Sequence, residues 1–195
     1  MSGPIIHPPE WSSKKTPDLA PQLLGQYLIR KDPQGTIHTY HINEIEIYHG
    51  LQDRASHAHR GRTPRNEVMF GPPGHWYVYL CYGVHWLLNL VTGPPEFPAA
   101  LLIRGVEGIS GPGRLTKKLQ IDGSLNRQPA HPDSGLWIAR SERPLPRREI
   151  VRSPRIGIAY AGAHWAQKPW RWQWNPPQKT PAAKATGAKI AEAKN

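Results

Sequence analysis

The sequence predicts an α+β fold, a single domain built on a curved, mainly antiparallel β-sheet or open barrel with flanking helices. Three observations carry this expectation. Apolar residues fall in short runs of strand length. Gly, Pro and Asp separate those runs by connections short enough for hairpins. Helical stretches are few. At 195 residues the chain is long enough to bury one substantial core.

The elements follow in chain order. Residues 1–17 hold Pro4, Pro8, Pro9 and Pro17 among polar residues and are expected to be irregular. Asp18 is expected to cap a short helix over Leu19 to Gly25, after which a strand reaches Arg30. Asp32-Pro33-Gln34-Gly35 reads as a turn with Pro second and Gly fourth, so Ile37 to Tyr48 returns as a hairpin strand. Glycine and basic residues break the pattern from His49 to Arg62. Thr63-Pro64 reads as an N-cap followed by Pro in the first helical position, opening a helix to Phe70. Trp76 to Tyr82, His85 to Val91 and Ala99 to Val106 read as three strands. Gly111-Pro112-Gly113 opens a helix that runs through Leu115 to Leu119, and Leu136 to Ala139 and Ile156 to Tyr160 read as late strands. Residues 175–195 are rich in Pro, Ala, Lys, Thr and Gly. They cannot bury enough apolar surface to offset chain ordering, so a disordered basic tail is expected and the domain spans residues 18–174.

The formal charge is +11, of which residues 175–195 contribute +3 and residues 1–17 contribute +1, leaving +7 in the central region. An excess of that size on a folded domain fits a polyanionic partner such as nucleic acid, with solubility alone as the competing reading. Cys81 is the sole cysteine, so neither an internal disulfide nor a thiolate zinc site can form; its apolar setting favours a buried packing role. His57 and His59 would need a further ligand to hold a metal, and no metal or other cofactor is expected. There is no apolar leader after a basic start and no apolar run of about 18 residues, so a soluble, cytoplasmic protein is expected.

Alternation along a strand puts Glu44, Glu46 and Tyr48 on one face and Ile45 and Ile47 on the other. Two carboxylates beside a ring suit a cleft, where one could act as a general base; an ordinary solvated face is the rival reading. Tyr77 and Tyr79 share a face, while Tyr82 stands at a strand-to-turn tip beside Gly83. From there its ring could wedge into a base stack, although a tyrosine-rich sheet core has the same pattern. Arg104 ends the run Leu101-Leu102-Ile103 and needs a carboxylate or phosphate partner. Arg60, Arg62 and Arg65 lie in a flexible, basic stretch around Thr63 that could clamp phosphate, with a merely solvated basic loop as the rival reading.

These segments, in this order, resemble the alkyladenine (3-methyladenine) DNA glycosylase family in its short bacterial form. The resemblance rests on Leu23-Leu24-Gly25, Glu44 through Gly50, Asp53 and His57, Arg62-Thr63-Pro64-Arg65-Asn66, Met69-Phe70, Gly74 through Tyr79 with Tyr82-Gly83, and Asn89. Leu101 through Arg104, Gly111 through Leu115, Arg155-Ile156-Gly157, Ala161-Gly162 and Lys168-Pro169 complete it, over about residues 18–174. Each motif alone is weak, and their joint order is specific. The resemblance implies a monofunctional, metal-free enzyme of base excision repair that flips damaged purines out of double-stranded DNA. The size of the chain suits a monomer, and DNA binding would associate it with the nucleoid. The resemblance also implies that Glu46 activates a water and that Arg104 helps hold carboxylate and water. It places Tyr48, His57, Tyr79 and Asn89 in the base pocket and Tyr82 in the duplex at the vacated site. Arg62, Thr63, Arg65 and Arg114 are the backbone-contact candidates. The chain departs from the pattern in a shortened loop between His57 and Thr63, in Arg114 where lysine is common, and in the cluster Trp170, Trp172 and Trp174. A non-catalytic nucleic-acid-binding module and an RNA-directed barrel are the competing classes; neither needs Glu46.

Overall fold

The computed structural model describes residues 3–7, 10, 16–142 and 149–174. The expected basic tail, residues 175–195, lies outside the described residues, as does much of the N-terminal segment. Among the described residues nine strands form the sheet: β1 (Tyr27–Lys31), β2 (Ile37–His49), β3 (Trp76–Cys81), β4 (His85–Val91), β5 (Ala99–Val106), β6 (Ile109–Ser110), β7 (Leu136–Ala139), β8 (Ile150–Ser153) and β9 (Arg171–Trp174). Its main path runs β3-β4-β5-β2-β1-β7, and every pairing is antiparallel. The sheet is curved and does not close on itself, and helices α1 (Thr16–Leu23), α2 (Pro112–Lys118) and α3 (Ala163–Ala166) flank it. This is the α+β architecture that the sequence predicts.

The long strand β2 organises the whole. Its first half pairs with β1 through the Asp32 turn, where Asp32 Oδ1 accepts the N–H groups of Gln34 (3.0 Å) and Thr36 (2.8 Å). Its second half pairs with β5 on one edge and β9 on the other. A bulge around Glu44 bends the strand between the two halves. One face of the sheet carries Ile42, Ile45, Ile47, Trp76, Leu90, Leu101 and Ile103 into the main core, against Leu19 and Leu23 of α1 and Leu115 of α2. Trp76 is fully buried, and its indole N–H donates to the Leu136 carbonyl at 2.9 Å, which satisfies its one polar atom. The opposite face is covered by the segments between β2 and β3 and between β8 and β9. It holds a second apolar cluster of Ala58, Met69, Phe70, Tyr77, Val91 and Ala100.

Several boundaries differ from the sequence expectation. The first helix begins at Thr16, so Asp18 lies within its first turn instead of capping it. The stretch after Thr63 forms turns and then a 3-10 helix at Glu67–Phe70. Thr63 and Asn66 do cap one another: the Thr63 N–H donates to Asn66 Oδ1 (2.7 Å) and the Asn66 N–H to Thr63 Oγ1 (3.4 Å). Asn66 spends its side-chain amine on the carbonyls of His57 and Gly61, and those bonds fix the loop in place of a regular helix. Ile156 to Tyr160 is not a strand; Gly157 takes φ 75°, and a 3-10 turn spans Ala159–Ala161. The strands at this end are β8 and β9, and Trp174 packs into the main core. Cys81 is half-buried, because it ends β3 at the hairpin tip. Among the described residues no helix is long and apolar enough to cross a membrane.

Candidate active site

Antiparallel register gathers the candidate residues onto the covered face. Tyr77 on β3 stands opposite Asn89 on β4, Asn89 opposite Leu102 on β5, and Leu102 opposite Glu46 on β2. The adjacent row runs Val91, Ala100, Tyr48. Rings therefore rise from the two outer strands, while β4 and β5 between them carry the short side chains Asn89 and Ala100. That difference in length leaves a pocket of about 350 Å³, its open mouth included, walled by Tyr48, His57, Met69, Tyr77, Tyr79 and Tyr160 and floored by Asn89 and Ala100. Asn89 is buried, and its amide N–H donates to the Tyr77 carbonyl at 3.0 Å.

His57 enters from a 3-10 helix (His57–Arg60) whose N-cap, Ser56, accepts the Ala58 N–H at 3.2 Å. Its Nδ1 meets the Tyr77 hydroxyl at 2.8 Å, and its ring lies 4.5 Å from that of Tyr79, edge to face. Desolvation by the surrounding rings, and secondarily Arg65, holds the His57 imidazole below its ordinary pKa. Burial pushes the Tyr77 phenol up to about 12 and raises those of Tyr48 and Tyr79 strongly, so the wall is uncharged at neutral pH. An uncharged, electron-rich wall suits a flat cationic ligand.

Behind the Tyr48 side of the pocket lies Glu46, fully buried. Its Oε2 accepts the Tyr48 hydroxyl at 3.0 Å, and its Oε1 accepts the Ile156 N–H at 2.8 Å with Arg104 Nη1 at 3.4 Å. Burial raises the Glu46 carboxyl pKa; Arg104, the Ile156 N–H, the Tyr48 hydroxyl and Arg155 pull against that shift without cancelling it. The two neighbouring carboxylates are committed elsewhere. Glu44 Oε1 accepts from Arg104 Nε (2.9 Å) and Arg171 Nε (2.7 Å). Asp53 forms a fork with Arg155, at 2.6 and 2.8 Å, both side chains fully buried. Arg155 also donates to the Ile47 carbonyl at 2.7 Å and lies between the rings of Tyr48 and Trp170. This pair ties the segment after β8 to β2, and the next residue, Ile156, delivers its N–H to Glu46.

Tyr82 is 93% exposed at the β3–β4 tip, in a turn that the Val84 N–H closes onto the Cys81 carbonyl at 3.1 Å. Its φ of 51° is followed by 69° at Gly83, a backbone that aims the ring outward. The start of α2 packs beside this tip, because a Cβ on Gly113 would lie 2.8 Å from His85; the exposed Arg114 follows it. Arg65 lies over the Tyr79 ring at 5.3 Å and donates to the Leu80 carbonyl at 2.8 Å. Arg62 pairs with Glu67 (3.3 Å) and with Glu96. Thr63 is exposed on the same loop. The structure thus brings Glu46, Arg104, Tyr48, His57, Tyr79 and Asn89 together, and sets Tyr82, Arg62, Thr63, Arg65 and Arg114 on the surface. Sequence reasoning missed Tyr77, Met69 and Tyr160 as walls, and the anchoring roles of Asp53, Arg155 and Arg171. Tyr160 gave no usable signal, since its surroundings read as a strand. Among the described residues no group of three His, Cys, Asp or Glu side chains is placed to hold a metal ion.

The sequence matches the model of the family described as methylpurine-DNA glycosylase over residues 10–110 and 107–177. A relative from Anaeromyxobacter dehalogenans (strain 2CP-C), named "Putative 3-methyladenine DNA glycosylase", is 42% identical over 175 residues, covering 85% of this chain and 81% of its own length. Proteins of the same name from Streptomyces avermitilis and Methanocella arvoryzae are 38% and 39% identical, covering 88% and 87% of this chain and 89% and 92% of their own lengths.

Proposed function

The chain belongs to the methylpurine-DNA glycosylase family and is a DNA repair hydrolase of N-glycosyl bonds; on that premise we propose that it flips alkylated or deaminated purines out of duplex DNA and hydrolyses the bond with a water activated by Glu46. The observation that carries the proposal is the position of Glu46. Of the three carboxylates gathered here, Glu44 is shared between Arg104 and Arg171 and Asp53 is forked onto Arg155, whereas Glu46 meets Arg104 only at 3.4 Å and hydrogen-bonds a wall of the pocket.

The base enters between Tyr48 on one side and His57 and Tyr79 on the other, over Asn89, which disfavours guanine's exocyclic amine. Glu46, ionised, takes a proton from water, and the oxygen attacks C1′. The glycosidic electron pair leaves with the base. An alkylated purine already carries positive charge, so it departs neutral and needs no acid, and the rings bind its cation in the ground state. A deaminated purine carries no such charge: it leaves as an anion that takes a proton from solvent, and it depends more on pocket hydrogen bonds. Arg104 and the Ile156 N–H hold the carboxylate in one orientation, and the Tyr48 hydroxyl fixes its second oxygen. Tyr82 fills the gap left in the duplex, and Arg62, Thr63, Arg65 and Arg114 contact the backbone. Damaged pairs open more cheaply, which adds selectivity before the pocket is reached. No lysine is placed in this scheme, so strand cleavage is not expected. We take the enzyme to act as a cytoplasmic monomer associated with the nucleoid.

The test is base release from duplexes that each carry one hypoxanthine, ethenoadenine or methylated purine. Release that leaves an uncleaved abasic strand supports a monofunctional glycosylase. Tight lesion binding with no release from any duplex would move the reading to a binding module.

A further inference from the structure

Beside the base pocket, across His57 and Tyr160, lies a second recess of about 800 Å³, its open mouth included. Arg54, His59 and Arg60 line it together with Ser56, and no carboxylate does. The charge here is unspent. Asp53, the neighbour of Arg54 in sequence, is turned inward onto Arg155. Among the described residues neither Arg54 nor Arg60 has an ion-pair partner, whereas Arg62 on the same loop is met by Glu67 and Glu96. The supporting backbone is fixed. Ser56 caps the turn that bears His59 and Arg60, Ala58 within that turn is fully buried, and His59 Nδ1 bonds the Leu51 carbonyl at 2.8 Å. Tyr160 stands on the border, a residue 72% exposed, with its hydroxyl 3.2 Å from the Ala55 carbonyl.

We propose that this recess is a phosphodiester seat, in which Arg54 and Arg60 hold a backbone phosphate next to the nucleotide whose base occupies the pocket. The inference rests on the glycosylase reading. A base lodged between Tyr48 and His57 leaves its sugar at the mouth, and its strand must continue outward on both sides. One way out passes Tyr160 and enters the recess, where two arginines with free guanidinium groups match the phosphate oxygens. The seat would grip an extruded nucleotide by a part common to every lesion, leaving discrimination to the pocket.

The test is the equilibrium affinity of Arg54→Gln, Arg60→Gln and the double variant for a lesion duplex, measured against salt concentration. Each substitution should weaken binding on the order of tenfold, and each lost contact should reduce the slope of log affinity on log salt by roughly 0.9. Duplexes with one neutral methylphosphonate, placed in turn at each position around the lesion, locate the seat. A single adjacent position should reproduce the loss in wild type and cost the double variant nothing more. Unchanged affinity and slope in a double variant of wild-type thermal stability would overturn the proposal. So would a loss spread evenly over all phosphate positions, which marks a diffuse field and no seat. The readout is binding, so failure of base release by wild type, which would undo the glycosylase reading, is seen separately.

Discussion

Arg104 is held more closely by Glu44 than by Glu46: its Nε lies 2.9 Å from Glu44 Oε1, and its Nη1 lies 3.4 Å from Glu46 Oε1. Arg171, from the last strand, fixes the same Glu44 oxygen at 2.7 Å. Glu44 is thus the anchor that decides how much of the Arg104 charge reaches Glu46. Glu44→Gln frees Arg104 toward Glu46 and removes the balance for Arg171. The acid limb of the pH–rate profile should move to lower pH, because Glu46 then faces more positive charge. Unfolding in urea should show a loss of about 3 kcal/mol, the lower end for a broken buried pair, since both arginines keep some solvent.

The Asp53–Arg155 fork is the deepest ion pair among the described residues, with both side chains fully buried. Asp53→Asn leaves a buried guanidinium without its counter-charge and should cost about 3–5 kcal/mol in denaturant unfolding. Base release should fall as well at temperatures where the variant remains folded, because Arg155 sets the position of the Ile156 N–H on Glu46.

Tyr82 holds a left-handed backbone with almost no packing to lose. Tyr82→Asn suits that conformation and should leave stability within about 0.5 kcal/mol. Lesion capture should weaken, read as a lower single-turnover rate at limiting enzyme. A wild-type rate would remove Tyr82 from the account.

Burial raises the Glu46 pKa, and two consequences of opposite sense follow. On the proposed mechanism Glu46 must be ionised, so activity should fall as pH drops through a value above the ordinary ~4.3 of glutamic acid. Stability runs the other way: the folded state favours the protonated carboxyl, and that contribution is full below ~4.3 and is lost as pH rises through the folded pKa. Glu46→Gln should therefore raise the melting temperature at neutral pH, with a gain that shrinks toward acid. A gain independent of pH would contradict the raised pKa.

Much of this was legible in the chain. The Asp32 turn and the β3–β4 hairpin follow from local turn chemistry, and the shared face of Glu44, Glu46 and Tyr48 follows from alternation. That Asn89 and Glu46 lie in one cross-strand row was not legible, because register across β4, β5 and β2 is set by pairing between distant residues. Ile156 to Tyr160 mimics a strand in sequence, yet its backbone serves the site: Arg155 is drawn inward by Asp53, and the Ile156 N–H is spent on Glu46 instead of on a neighbouring strand. Trp172 and Trp174 belong to a strand whose two-residue period was hidden by a local excess of tryptophan that reads as mere packing. The unpaired arginines of the 54–60 stretch became distinguishable from Arg62 only once their surroundings were in view.

The most direct test compares wild type with Glu46→Gln on one lesion duplex, following base release under single turnover and lesion binding in parallel. The account predicts that the variant binds the lesion at least as tightly as wild type and that release falls by a factor on the order of a hundred or more. Release by the variant at the wild-type rate, with binding intact, would contradict Glu46 as the base and return Glu44 to consideration.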